Sequence, residues 1–211
     1  MAKYLPLFPL NLVVFPGEKL NLHIFEPRYK QLVHDCLHEG KNFGIPTFIN
    51  NSVGLYGTEI KILDVVKKYD NGEMDLSTKG LSIFKILEFD KQAPGRLYAG
   101  GQVEAVEIIN DEDFVTKLKI KEQLTLLYKA LGVEKLFIDL PENFTSYDIA
   151  HHLGLSTEQE YLVLQNASEA DRQEMILQHL NQVVPIVLET ERLKERVKMN
   201  GHFKNLTSPH F

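Results

Sequence analysis

The sequence predicts an α+β protein in which a β pseudo-barrel with one inserted helix is followed by a C-terminal helical bundle. Three observations predict it. Short alternating apolar and polar runs, separated by Pro, Gly, Asn and Asp, fill the first 110 residues. One segment inside them carries a one-sided apolar stripe instead. Beyond residue 110 the alternation gives way to the helical repeat of about 3.6 residues. The expected units are therefore 1–110 for the barrel and 111–211 for the bundle.

The elements follow in order. Pro6, Pro9 and Pro16 lack N–H donors, so residues 4–16 are expected to form an edge or irregular strand. Tyr29, Leu32, Val33, Cys36 and Leu37 share one helical face. Pro27 suits the first helical position and Gly40 the residue after the last. This helix is expected to lie across the barrel and close one end. Residues 58–67 alternate, with Ile60, Ile62 and Val66 opposed to Glu59, Lys61 and Lys67. Asp70-Asn71-Gly72 makes a hairpin turn into the strand of Met74, Leu76 and Thr78. Leu81–Phe89 and Leu97–Ile109 are two further strands around the Ala93-Pro94-Gly95 turn.

In the second half, Asp111–Leu131 is a helix through Phe114, Leu118, Leu124, Leu127 and Leu131, stopped by Gly132. Thr145–Leu153 is a short helix ended by Gly154, and Ser156 with Gln159 forms a capping box. Ser168 caps a last helix through Ile176, Leu177, Leu180, Val184 and Val187. Pro185 is expected to kink or split it, and Gly201 to end it, with Phe203 folding back onto it first and docking on a partner as the alternative.

Composition removes whole classes of function. The 211 residues are 44% apolar and 25% charged, a globular mixture long enough for a core without disulfides. A net charge of −6 disfavours a general polyanion binder. The single cysteine, Cys36, fits a reducing cytoplasm. No run approaches the ~18 apolar residues of a membrane helix, and prolines interrupt the N-terminus where a signal peptide would need a helix. A cytoplasmic location is expected.

Catalytic frames are missing. Gly40-Lys41 is the only Gly-Lys pair and has no phosphate-loop spacing around it. There is no Gly-x-Ser-x-Gly elbow, and Ser82 lies in a strand pattern with no evident base. His34 and His38 share a helix face, but Cys36 belongs to the apolar stripe, so no metal site is expected. His151 and His152 are adjacent and splay apart. Asp111 and Asp113 read as helix-start residues. Residues 150–156 resemble the turn of a helix-turn-helix, yet the helix that would read DNA begins with Glu158 and Glu160. No catalytic residue, cofactor or metal is expected.

The opening stretch Pro6-Leu7-Phe8-Pro9-Leu10 runs through Phe15-Pro16-Gly17 to Ile24-Phe25-Glu26-Pro27-Arg28-Tyr29. It strongly resembles the N-terminal, substrate-binding domain of the Lon proteases. Gly57-Thr58-Glu59-Ile60, Asp70-Asn71-Gly72 and Lys79–Phe84 resemble the later strands of that family. The likeness extends to about residue 195. It implies a PUA-like β pseudo-barrel and a stand-alone Lon-domain protein without ATPase or serine–lysine protease domains.

The resemblance also implies a non-catalytic module that binds unfolded or exposed apolar polypeptide segments, in a groove between barrel and bundle or along a strand edge. The partners implied are client polypeptides, with a separate protease or chaperone as a second candidate. The alternative is an RNA-binding PUA-like protein. Its only basic cluster, Arg192, Lys194, Arg196, Lys198 and Lys204, is interleaved with Glu189, Glu191 and Glu195. Within the family motif, Pro9, Phe15, Pro16, Gly17, Phe25, Glu26, Pro27, Arg28 and Tyr29 are read first as architecture and second as a binding surface. Glu26 is expected to cap the helix with its side chain, and Arg28 to reach a carboxylate or loop carbonyls. Phe25 and Tyr29 are expected to pack the helix on the barrel, with Phe8 and Phe15 in the core.

Overall fold

The computed structural model describes residues 2–133 and 143–204, with the backbone alone over 200–204. The strands are β1 (Ala2–Leu7), β2 (Lys19–Ile24), β3 (Phe43–Ile49), β4 (Ser52–Lys68), β5 (Met74–Asp90) and β6 (Ala99–Ala105). The helices are α1 (Pro27–Glu39), α2 (Phe114–Leu131), α3 (Ser146–Ile149), α4 (Thr157–Gln165) and α5 (Glu169–Lys204), with a 3₁₀ turn at Ala150–His152. The α+β class expected from the sequence is the one observed.

The sheet order is β2-β5-β4-β3-β1-β6, and β5 also pairs with β6. That second pairing closes β5, β4, β3, β1 and β6 into a ring and leaves β2 as an appended edge. Closure is possible because β5 is long. Its first half bonds β2, while Phe84–Asp90 bonds β6. The sequence divides β5 into two strands at Gly80, but the chain runs through. Gly80 is needed there because a Cβ would collide with the Phe15 carbonyl.

β1 is bonded on both flanks, to β6 along its length and to β3 at Leu7, so it is not the edge strand expected. Its proline-bearing continuation explains the motif spacing. Phe8 N donates to Gly44 O at 2.8 Å and Leu10 N to Pro46 O at 3.3 Å. Pro9 falls between them, where a strand N–H points away from β3, past the last β1–β6 pair, Leu7 with Ala99.

β4 departs from simple alternation. Its pairing with β5 slips between Ile62 and Asp64 and between Val65 and Lys67. Each slip inserts a residue and turns the following side chains over. Ile60 is fully buried, Glu59 is buried on the supposed outer face, and Val66 is exposed. The Asp70–Gly72 turn is as read, with Gly72 at φ +76°.

α1 has the expected limits, with Gly40 left-handed at φ +63°. Tyr29, Leu32, Val33 and Cys36 enter a core with Phe8, Val14, Ile24, Phe43, Ile45, Ile60 and Leu76. Leu37, expected in the stripe, is 46% exposed.

The chain divides into two compact units, Met1–Ile109 with Tyr147–Ala167, and Asn110–Ser146 with Ser168–Phe211. The expected boundary at residue 110 is thus crossed by one helical segment. Side chains explain why. Within the first unit Phe15 stacks on Tyr147 at 5.3 Å, and the Tyr161 hydroxyl accepts from Tyr56 N at 3.0 Å.

In the second unit, α2 and α5 bury Ile120, Leu124, Leu127 and Tyr128 with Ile176, Leu177, Leu180 and Val184. Phe114, Leu118 and Leu131, expected inside, are exposed. Asp113 caps α2 by accepting from Thr116 N at 2.6 Å. Asp111 serves the start of α5 instead, accepting from Ser168 Oγ and Ala170 N. Arg172 and Glu169 are buried as an ion pair at 2.6 Å, and Glu169 also accepts from the backbone and hydroxyl of Ser146. α5 is not split at Pro185. The carbonyl deprived of its donor is that of Asn181, an exposed residue that water can satisfy. Nor does Gly201 stop the helix, which runs to Lys204, while the fold-back of Phe203 lies outside the described side chains.

Candidate functional site

The β3–β4 hairpin turns through two residues, Asn50 and Asn51, both left-handed at φ 50° and 58°. Asn tolerates this conformation better than most residues, and the mirror-image turn it permits matches the strand twist. Ile49 consequently pairs with Ser52. A slip in the β3–β4 register between Pro46 and Phe48 re-aims the side chains beyond it.

These features build one wall of a groove of about 620 Å³ within the first unit. Phe48, Val53 and Leu55 come from the hairpin, Ile86 and Phe89 from the far end of β5, and Leu97 from the loop before β6. Pro9 and the start of α1, Arg28 and Tyr29, complete it. Leu55 and Leu97 are 57% and 56% exposed, and Phe48 is 38% exposed. Exposed apolar side chains gathered round a concavity mark a binding surface more often than scattered ones do.

The motif residues divide between this groove and a second cavity. Tyr29 is buried and stacks on Phe8 at 3.8 Å. Arg28 bonds Glu26 at 2.9 Å and lies over the Tyr29 ring at 4.5 Å. Glu26 stands at the N-cap of α1, but only its backbone oxygen caps, accepting from Tyr29 N and Lys30 N. Its side chain is taken by Arg28, which corrects the expected side-chain cap. Pro27 is the first helical residue. Phe25 is 57% exposed and rests on His23 rather than pinning α1 to the barrel.

Phe15, Pro16 and Gly17 line the second cavity, about 560 Å³, with Leu12, Leu20 and Tyr147. Phe15 is buried as expected. Gly17 adopts φ +87°, and its N–H donates to Gly80 O at 3.0 Å. Two polar groups of the lining, His151 and Glu18, are engaged with one another. His151 bonds Glu18 at 3.1 Å and Glu160 at 2.8 Å. The hydrogen bond to Glu18 pushes its pKa up to about 9, against partial burial, with Glu160 adding to the rise. Glu18 accepts from Phe15 N as well.

A family model described as the ATP-dependent protease La (LON) substrate-binding domain matches residues 4–182. The chain belongs to the Lon substrate-binding domain family. Solved structures agree. A Lon N-terminal domain protein from Xanthomonas campestris is 27% identical at a TM-score of 0.61, covering 83% of this chain and 97% of that one. The N-terminal domain of the Mycobacterium avium complex Lon protease shares the fold at 15% identity, with a TM-score of 0.64 over 85% of this chain and 98% of that one.

The remaining candidates in this Lon domain have structural occupations. Cys36 is buried, and burial pushes its thiol up to about 12, with Asp35 and Glu39 adding to the rise. His34 and His38 stack at 6.3 Å on the helix surface, and among the described residues no set of three ligands could hold a metal. His151 turns inward, toward Glu18, Glu160 and the Phe15 ring, while His152 is exposed. Glu160, on the helix that a DNA reader would use, is held by His151, and Lys194 of the basic cluster is paired with Glu191 at 2.6 Å. No described helix is long and apolar enough to cross a membrane.

Sequence reasoning missed one polar cluster. Glu59 accepts from Lys3 at 2.6 Å and Asn42 at 2.8 Å, with Ser82 at 3.5 Å. These residues are far apart in sequence, and the register irregularity between Thr58 and Ile60, where Glu59 lies, has no local signal. The groove was missed for the same reason, because its walls come from separated segments.

Proposed function

We propose that this Lon-family chain is a non-catalytic module that binds unfolded or exposed apolar segments of client polypeptides. The groove bounded by the β3–β4 hairpin and α1 is the binding surface. One observation carries the reading. Half-exposed Phe48, Leu55 and Leu97 surround a concavity that the family-motif residues Pro9, Arg28 and Tyr29 help to line. An extended segment lays alternate side chains into such a groove, which suits recognition of many sequences through apolar area rather than a fixed motif. The family's description as the substrate-binding domain of an ATP-dependent protease supports the same reading. A separate protease or chaperone that receives the client is the second partner proposed.

A titration tests it. Reduced, carboxymethylated model protein carrying a fluorophore is expected to bind the folded chain at micromolar to tens of micromolar concentration, the range of modest interfaces. Leu55→Asp is expected to weaken that binding at least ~tenfold, because a carboxylate would meet the client's apolar side chains. Absence of binding with the fold confirmed by circular dichroism contradicts the reading.

A further inference from the structure

We infer that the groove selects apolar segments flanked by an acidic residue. The inference rests on the groove being the client surface proposed above. Its lining holds two cations, Arg28 and Lys91, and no carboxylate, although the chain as a whole has a net charge of −6. Glu26 beside the lining offsets Arg28, so Lys91 carries the unpaired positive charge of the lining.

Both cations can serve a ligand. Lys91 makes no ion pair among the described residues. Its sequence neighbour Asp90 is engaged by the Tyr4 hydroxyl at 2.9 Å. Arg28 meets Glu26 through Nε and one Nη on a single carboxylate oxygen, Oε2. The rest of its planar fork stays open to a second carboxylate. Arg28 is about half exposed, 52% at the side chain, so the existing pair holds it in place at small cost to its reach. The Tyr29 ring under the guanidinium fixes its plane.

A client side chain carrying a carboxylate would find these donors at the rim of the apolar groove. A basic flank would meet Lys91 as a like charge. Rim charges of this kind act mainly on specificity and association rate, and salt weakens them.

The test uses the full chain and three labelled peptides with one shared apolar core. Their ends are acetylated and amidated, and the core is flanked by Asp, Asn or Lys. Fluorescence anisotropy is expected to rank them Asp, Asn, Lys, with about fivefold between neighbours at low salt and a smaller gap at high salt. Lys91→Glu is expected to bring the Lys-flanked peptide level with or ahead of the Asp-flanked one. Equal affinities for all three peptides, with binding still lost in Leu55→Asp, would overturn the acidic preference and leave the groove standing. Failure of every peptide to bind would overturn the groove and the preference with it.

Discussion

His151 shows how one side chain can tie two stretches of the first unit together. It stands between Glu18, just after the Phe-Pro-Gly loop, and Glu160 in α4, with its ring 4.8 Å from that of Phe15. Its folded-state pKa is raised to about 9, above the ordinary value of ~6.5. The charged form is favoured by folding, so its contribution is complete below the ordinary value and disappears as pH rises through about 9. Thermal midpoints measured from pH 6 to pH 10 are expected to fall for the native chain, and the His151→Gln variant is expected to show a flatter profile over the ~6.5–9 window.

Glu59 has the opposite sign. Burial raises its pKa, but hydrogen bonds from Lys3 and Asn42 outweigh burial and hold it below the usual carboxylate range. Its contribution is present above the unfolded value and is lost as pH falls through the lowered one. Lys3→Met removes the principal partner and is expected to cost about 1–3 kcal/mol in denaturant unfolding at neutral pH, with a smaller difference in acid. The short motif was legible at this scale because Pro9, Gly17 and Pro27 answer to local backbone chemistry. Glu59 was missed because its partners lie on distant chain segments, whereas Glu26 and Phe25 were misread because each turns to a neighbour two residues away, Arg28 and His23.

Among the elements, those with local punctuation could be read directly. α1 starts at Pro27 and stops at Gly40, and α4 begins at the Ser156–Gln159 capping box, with both reciprocal bonds formed. Ser156→Ala is expected to lower stability by about 0.5–2 kcal/mol, measured by denaturant titration. β4 and β5 were harder, because their 17-residue lengths depend on pairing partners and their bulges on closure of the ring. The buried start of α5 makes a sharper prediction. Arg172→Met leaves Glu169 charged among buried groups and is expected to cost ~3–5 kcal/mol. A paired Glu169→Gln, Arg172→Met variant is expected to recover part of that loss in the same unfolding measurement.

Across the whole molecule, the α+β class and the Lon family could be read from alternation, the change of repeat and one long motif. The unit boundaries and the groove could not, because both depend on which distant segments meet. Tyr147–Ala167 joins the barrel unit through aromatic and hydrogen-bonded contacts that no helical periodicity encodes. The client surface proposed here likewise draws on the opening segment, α1, the hairpin and the ends of β5 and β6.

Hydrogen exchange of the full chain with and without a saturating unfolded client tests that surface most directly. Added protection is expected at the β3–β4 hairpin, the start of α1 and the end of β5, and it should vanish in Leu55→Asp. Client binding that leaves those segments unchanged and protects another face would contradict the central claim.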